Sequence, residues 1–487
     1  VNIVLINPNA SQNNYDLPPQ EISDHIGLGY IAAVLRKEGH ICTIIDADLL
    51  NLNMPTIVEM TQAQCPDVIG ITLLHDTFPQ CALTISVLKI NFNIPVFVGG
   101  HLATIMRDQL FDFISDIDYI LVGEAEDSIV NFIDYLSRKK YIEDVPNLIY
   151  KKNNSVIINS KSIELPLLNE IPWPVRDNAT QIFDLQKLHG LPKALRISSS
   201  RGCHGSCHFC SINTFYSMLG NARTWRHRPI ADVVDEMIYL HNKFKVDIFY
   251  FSDDNFIGPN YFSHERVKLF CDCVKKAKLK VNFSISTRID GIDYGICKML
   301  KEVGLTHVGV GLENICSDSL SMFNKEINNS VVLNFISVIK ELNISFSFFM
   351  IIYHPFTTIE KIYLNYCLLD KIGYFDNEFK KRNAFDILIM SRLLVRRFTP
   401  FEEILRSHAL HQGYLTSNPM IVNYKFNDDR VEKMWLDLYK SAKGDEENTR
   451  HHFVRLINKY SANTTGPRAP KAASISGFGV AGACETV

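Results

Sequence analysis

Between Asn2 and about Lys139, short runs of apolar, often β-branched residues alternate with stretches whose apolar positions recur at helical spacing. That alternation predicts a parallel sheet covered by helices on both faces. The runs Asn2–Ile6, Ile41–Asp46, Val68–Thr72, Val96–Val98 and Tyr119–Val122 are nearly all apolar, as strands buried on both faces must be. They predict a doubly wound, flavodoxin-like (Rossmann-like) α/β domain over residues 1–140. From about Tyr141 to Lys193 the pattern lapses: strand-like Asn147–Lys151 and Val156–Ile158 stand among prolines at 166, 172, 174 and 192. The stretch 141–193 reads as a linker with a small hairpin, without a sustained helical period.

A second alternating series follows, with strands expected at Ala194–Ser199, Asp247–Ser252, Val281–Ser286, His307–Gly311, Ser345–Ile352 and Phe385–Met390. Six βα units predict a partial (β/α)6 TIM barrel over residues 194–400, whose chemistry gathers at the C-terminal ends of its strands. Helical spacing resumes beyond Pro400 and predicts a helical C-terminal region over 401–460. Residues 461–487 turn to Ala, Gly, Ser, Thr and Pro, a composition that cannot bury enough surface to order itself and predicts a disordered tail.

Composition agrees with several folded domains: 487 residues, 46% hydrophobic and 21% charged, at roughly 150 residues per domain. Fifty Lys and Arg against 53 Asp and Glu leave a formal net charge of −3, which gives no electrostatic reason to expect nucleic acid or an anionic membrane as partner. No apolar run approaches the roughly 20 residues of a spanning helix; the longest, Phe346–Tyr353, has strand length and ends at His354-Pro355. The opening Val1-Asn2-Ile3-Val4-Leu5-Ile6-Asn7-Pro8 has no basic n-region and reads as a strand, so a cytoplasmic location is expected. Most of the twelve cysteines stand singly among apolar neighbours, as do Cys42, Cys65, Cys81, Cys297 and Cys367, so reduced thiols are expected.

The exception is Arg201-Gly202-Cys203-His204-Gly205-Ser206-Cys207-His208-Phe209-Cys210, three thiols at C-x3-C-x2-C directly after the first barrel strand. Three soft thiolates on one loop suit a [4Fe–4S] cluster with one iron left open for another ligand. A zinc knuckle completed by His204 or His208 is the alternative, although such knuckles rarely open a βα barrel.

The loop and its position resemble the radical S-adenosylmethionine (SAM) superfamily, as does Phe209 before the third cysteine. The resemblance implies that Cys203, Cys207 and Cys210 hold the cluster. The amino and carboxylate groups of SAM would chelate the open iron, and one-electron reduction would release a 5′-deoxyadenosyl radical. It continues through Arg223-Thr224-Trp225-Arg226-His227-Arg228-Pro229 and Asp235-Glu236. It assigns SAM contacts to Phe209 in the cysteine loop and, at successive strand ends, to Ser252, Asp253, Asp254, Ser286, Arg288 and Glu313. Each alone could equally be a polar residue of a barrel mouth or a helix cap; together, each at a strand end, they favour a site. Two segments depart from the family: Phe398 replaces a glycine in Arg397-Phe398-Thr399-Pro400-Phe401, and His354-Pro355-Phe356-Thr357-Thr358 stands where Gly-x-Pro-Gly-Glu-Thr is common.

The first 140 residues resemble the cobalamin-binding domain of B12-dependent radical SAM enzymes, through Asn7-Pro8, Gly27-Leu28-Gly29-Tyr30, Gly70-Ile71-Thr72, Val98-Gly99-Gly100-His101 and Val122-Gly123-Glu124-Ala125-Glu126. Glycines at strand ends let a large tetrapyrrole approach the backbone. The implied cobalamin contacts are Asn7, Thr72, Leu74, His75, Asp76, Gly99, Gly100, His101, Gly123, Glu124 and Glu126. A nucleotide-binding or purely structural domain is the alternative. The Asp-x-His-x-x-Gly motif is missing, since His25 directly follows Asp24 and His40, His75 and His101 lack the pattern. A base-off cobalamin without a motif histidine is therefore expected, with Leu74, His75 and Asp76 toward the lower face of cobalt. A methylthiotransferase with a second cluster on Cys42, Cys65 and Cys81 is disfavoured, because packing explains those thiols.

The resemblance, over about residues 1–400, implies a [4Fe–4S] cluster, SAM and cobalamin as cofactors and a flavodoxin or ferredoxin as electron donor. The implied activity is methyl transfer to an unactivated carbon of a peptide or small natural product. The substrate would lie between the two domains under the C-terminal helices. A cyclase, oxidase or rearrangement enzyme, or a non-catalytic corrinoid or iron–sulfur carrier, are the other readings. No residue is identified as a catalytic acid or base.

Overall fold

The computed structural model describes residues 1–9, 22–153, 155–160, 165–221, 224–372, 392–441 and 446–461. They form two compact units, the first made of Val1–Leu312, Ser321–Phe349 and Leu394–Asn423, the second of Glu313–Leu320 and the chain from Met350 to Leu393 and beyond Tyr424.

The first unit contains a seven-stranded sheet in the order β2-β1-β3-β4-β5-β6-β7. Strands β1 (Asn2–Asn7), β2 (Ile41–Asp46), β3 (Val68–Thr72), β4 (Val96–Gly99) and β5 (Tyr119–Leu121) run parallel. Alternating residues of β1 feed opposite cores. Ile3 and Leu5 pack with Leu28, Phe97 and Phe132, whereas Val4 and Ile6 pack with Ile57, Ile85 and Leu88, which is why these strands read as continuous apolar runs. Gly70 has no room for a side chain: a Cβ there would lie 2.3 Å from the Phe97 ring. Because β1 pairs with both β2 and β3, the order reverses at β1 and opens a crevice at the strand C-termini.

Strands β6 (Leu148–Lys152) and β7 (Ser155–Ile158) form the expected hairpin, but it is joined to the sheet, with β6 antiparallel to β5. Burial of Leu148, Ile149 and Tyr150 explains the attachment. The remainder of the stretch read as a linker carries a helix, Ala179–Leu188, that buries Ile182 and Gln186. Gln186 caps β8 by accepting from Ala194 N and donating to Ala194 O.

The second sheet has the order β14-β13-β12-β11-β8, with β8 (Ala194–Ile197), β11 (Ile248–Phe251), β12 (Asn282–Arg288) and β13 (Leu305–Glu313) parallel and β14 (Ser345–Met350) at the edge. Its outward residues build an aromatic core in which Phe251, Phe256, Phe270 and Phe283 meet edge to face. Its other face mixes polar residues with Tyr250 and Phe349, whose ring lies 3.1 Å from where a Cβ on Gly309 would stand. The register sets Ser284 beside His307, Ser286 beside Gly309 and Arg288 beside Gly311. The His307 ring nitrogens meet Ser345 Oγ at 2.9 Å and Ser347 Oγ at 3.0 Å. The sixth expected strand, at 385–390, lies outside the described residues.

A short ribbon of β9 (Ser200–Gly202) and β10 (Trp225–His227) follows β8. Past residue 400 the expected helical region forms, interrupted by one strand pair. The helix Pro400–Ser407 ends, and β15 (His411–Tyr414) pairs with β16 (Val422–Tyr424). The positive φ of Ala409 (53°) and Gly413 (89°) breaks helical geometry there. The helices Asp429–Ser441 and Glu446–Ser461 follow, and the expected disordered tail falls outside the described residues.

In the second unit, Tyr366 of the helix Ile359–Lys371 meets the Phe453 ring. Arg392 lies over Tyr424, Phe426 and Trp435 and pairs with Glu432. His354, in the segment that departs from the family pattern, is fully buried with Nε2 3.0 Å from Ser319 Oγ.

Within the first unit the two sheets are joined by buried charge. Arg176 bridges Asp24 (2.6 Å) and Glu236 (2.9 Å), and Arg228 reaches Glu236 (2.6 Å) and Asp232 (2.6 Å). The Glu236 side chain is 1% exposed, and its loss would leave each of two buried guanidinium groups with a single carboxylate. Glu236→Ala is expected to lower stability by about 3–5 kcal/mol, read as a shift of the urea unfolding midpoint.

Candidate cofactor sites

The thiol loop hangs from the end of β8 through one carboxylate. Asp253 accepts from Ser199 N (3.0 Å), Ser199 Oγ (2.7 Å) and Ser200 Oγ, so this expected SAM contact is committed to shaping the strand end. Ser252 and Asp254 beside it are exposed, and Asp254 accepts from Gly202 N at 3.2 Å. Asn255, which the sequence did not single out, ties the next strand end to the loop. Its Oδ1 accepts from Thr287 Oγ1 (2.7 Å) and Arg288 N (3.3 Å), and its Nδ2 donates to His204 Nδ1 (3.1 Å).

The Gly205 N–H points at Cys203 Sγ at 3.4 Å. Cys210 caps the helix Ser211–Met218, whose Ile212 and Asn213 amides face its sulfur. Burial pushes the Cys210 thiol up to about 11 and raises that of Cys203. The Arg288 guanidinium acts in the opposite sense on Cys203; a Cβ on Gly205 would come within 2.6 Å of Arg288 Nη1, so glycine is what admits this cation to the loop. Arg288 is also paired with Asp290 at 2.7 Å. Among the described residues no three Cys, His, Asp or Glu side chains are gathered as the shell of one metal ion. Three thiols on one loop, two of them served by N–H donors and one flanked by an arginine, fit the separate corners of an iron–sulfur cluster. His208, a possible fourth zinc ligand, donates Nδ1–H to Met322 O at 2.8 Å. Phe209 packs edge to face on Phe323 at 5.4 Å. Ser286 Oγ lies beside Gly309 on the polar face of the sheet. Glu313, in the second unit, ends β13 at φ 62° with its carbonyl accepting from Ile351 N.

The strand ends of the first sheet hold the residues expected to meet cobalamin. Asn7 donates to Asp46 Oδ1 at 2.8 Å. Gly100 follows Gly99 at φ 98°, where a Cβ would lie 3.0 Å from Leu73 O and 3.1 Å from Thr72 Oγ1. Thr104 Oγ1 donates to Gly100 O (3.0 Å) and accepts from Gly123 N (2.8 Å), linking two strand ends through one hydroxyl. His75 is 3% exposed, its Nε2 lies 3.4 Å from Arg397 O, and burial holds its pKa down at about 4. The Asn418 amide donates to His75 O, and Asp76 pairs with Arg396. Half-buried Leu74, buried His75 and exposed Asp76 are thus flanked by the segment 396–418.

Three further expected contacts turn toward the cluster loop. The His101 ring stacks on Phe215 of the helix after Cys210, centroids 4.5 Å apart. Glu124 accepts from Arg201 (2.7 Å), Tyr216 (2.9 Å) and Arg226, and Glu126 accepts from Arg201 (2.6 Å). Both carboxylates are satisfied within the protein. Their partners were not singled out; only the place of Arg201 directly before Gly202-Cys203 could have signalled a role.

A family model described as the B12 binding domain matches residues 20–133, and one for the radical SAM superfamily matches residues 197–363. The chain belongs to the cobalamin-dependent radical SAM enzymes. Its cofactors are cobalamin, SAM and a [4Fe–4S] cluster. It is 26% identical over 338 residues to an uncharacterized methyltransferase of Pyrococcus horikoshii, covering 69% of this chain and 71% of that protein. It is 24% identical over 351 residues to the anaerobic magnesium-protoporphyrin IX monomethyl ester cyclase of Synechocystis, covering 70% and 67%. The solved structure of the cobalamin-dependent SAM radical enzyme OxsB with aqua-cobalamin superposes with a TM-score of 0.73 at 18% identity, covering 94% of this chain and 72% of that one, a likeness of fold. No described helix is long and apolar enough to cross a membrane.

Replacing Cys203, Cys207 or Cys210 with Ala is expected to cut iron and sulfide incorporation on anaerobic reconstitution from about four of each per chain to under one, by chemical analysis. Burial lowers the pKa of His101 to about 4, below the roughly 6.5 of an unfolded histidine. The stability linked to its neutral form is fully present above about pH 6.5 and lost as pH falls toward 4. His101→Gln should flatten the dependence of Tm on pH over that interval.

Proposed function

We propose that this enzyme is a C-methyltransferase that moves a methyl group from cobalamin to an unactivated carbon of a peptide or small natural product. The observation that carries the reading is the direct packing of the B12 binding domain on the cluster loop, through His101 on Phe215 and Glu124 and Glu126 on Arg201. A reaction needing both cofactors at one substrate requires that juxtaposition. The resemblance to the Pyrococcus horikoshii methyltransferase adds to it.

When bound, the cluster with SAM supplies the one-electron chemistry that opens a C–H bond, and cobalamin supplies the methyl group. The protein's share is positioning. Cys203, Cys207 and Cys210 hold the cluster, with Arg288 balancing negative charge beside it. Ser252, Asp254 and Ser286 would offer polar contacts to SAM, and Phe209 supports the loop by packing. Asn7, Thr72, Gly99, Gly100 and Gly123, at the strand ends of the first sheet, would hold the cobalamin. His75 stays neutral and is engaged with the Arg397 carbonyl, which supports a base-off cobalamin without a histidine ligand. A cytoplasmic location and a flavodoxin or ferredoxin donor complete the reading.

Anaerobic incubation of cluster-reconstituted protein with SAM and a reductant, with and without hydroxocobalamin, tests it by mass spectrometry. The expected products are 5′-deoxyadenosine and S-adenosylhomocysteine, the second only with cobalamin. 5′-Deoxyadenosine alone would favour cyclisation or rearrangement, in keeping with the resemblance to the Synechocystis cyclase. Neither product from a sample with its cluster intact would favour a carrier.

A further inference from the structure

We propose that Arg201 is a positioning residue through which occupancy of the cobalamin domain and of the cluster–SAM site are coupled. The inference rests on the binding of both cofactors and not on methyl transfer.

A continuous path of short contacts runs from one site to the other. It starts at Gly100, whose carbonyl accepts from Thr104 Oγ1 at 3.0 Å; the same hydroxyl accepts from Gly123 N at 2.8 Å. The next residue, Glu124, and its near neighbour Glu126 close on Arg201 at 2.7 Å and 2.6 Å, with both side chains only 7% exposed. Gly123 has φ 87°, a conformation that turns the chain sharply from the strand end into this pair of carboxylates. The Arg201 guanidinium also lies over the Tyr30 ring, 5.0 Å from its centroid. On the far side Arg201 pairs with Arg226 in the β9–β10 ribbon, and Gly202 is fixed by Asp254 at 3.2 Å. Cys203 comes next.

The electrostatics make this link stiff. Burial works against the charge on Arg201, and Glu126 and Glu124 more than restore it, raising its pKa. Glu124 is also bound by Arg226 and by Tyr216, so neither carboxylate can swing away without stranding buried charge. A forked guanidinium holding two carboxylates fixes direction as well as distance. A ligand that shifts the Gly100–Glu126 strand ends therefore shifts the backbone of the residue two before the first cluster thiolate. By thermodynamic linkage the effect is reciprocal.

The test compares SAM affinity of the cluster-reconstituted full chain with and without saturating hydroxocobalamin, by anaerobic equilibrium dialysis. In the native protein the ratio of the two Kd values is expected to depart from one by roughly fivefold or more. In Arg201→Lys, which keeps the charge but cannot span both carboxylates, the ratio should fall below about twofold while both cofactors still bind. A merely structural arginine would lower Tm in the variant and leave the ratio unchanged. Tyr216→Phe, which removes one hydrogen bond from Glu124, is the milder second variant if Arg201→Lys does not fold; it should give a ratio between the two. A native ratio of one, or equal ratios in native and variant proteins, overturns the inference. A native chain that binds neither cobalamin nor SAM would instead overturn the functional reading above.

Discussion

Two carboxylates and two guanidinium groups, all nearly out of reach of water, decide how the first unit is assembled. Asp24 comes from the segment before the first helix, Arg176 from the stretch between the sheets, and Arg228 and Glu236 from the barrel. An ion taken from water costs several kcal/mol unless opposite charge and hydrogen bonds meet it, so these groups are tolerable only in register. Apolar faces can slide over one another, whereas forked guanidinium groups cannot. The hydrophobic cores hold each sheet together, and the charges specify where one sheet meets the other.

From that registration the cofactor regions inherit their geometry. Asp253 and Asn255, one residue apart on either side of Asp254, organise two different strand ends and the thiol loop between them. Three consecutive polar residues after a buried aromatic strand thus divide the work. All three hold backbone, Asp253 at the end of β8, Asn255 at the end of β12 and Asp254 at Gly202 just before the thiol loop. Glycine serves the same economy at Gly205, where its missing side chain is the space Arg288 occupies.

Much of this was legible in the sequence. The parallel strands were readable because burial on both faces leaves unbroken apolar runs, and the thiol loop because cysteine spacing is rigid. The β6–β7 hairpin was recognised as local structure but not as part of the sheet, since an antiparallel strand added at an edge depends on a partner some thirty residues earlier. The C-terminal stretch is helical as its apolar spacing predicts, but the strand pair within it follows from the backbone angles of Ala409 and Gly413, which periodicity does not record. The place of Glu124 and Glu126 at a strand end is visible in the sequence, but their protein partners are not. Their actual partners, Arg201, Tyr216 and Arg226, lie far along the chain, and no local pattern announces a pairing at that separation. For SAM and cobalamin, residue type and strand-end position were visible in advance, but which polar groups the fold itself would consume was not.

The seven-stranded sheet is complete by residue 158, and this has a consequence for the nascent chain. Synthesis proceeds from the N-terminus and domains fold largely as units, so the sheet can close while the rest of the protein is still unmade. At that stage Asp24, Glu124 and Glu126 are already in place, and Arg176, Arg201 and Arg226 do not yet exist. Until those arginines are made, Asp24, Glu124 and Glu126 lack the guanidinium partners that meet them in the finished protein.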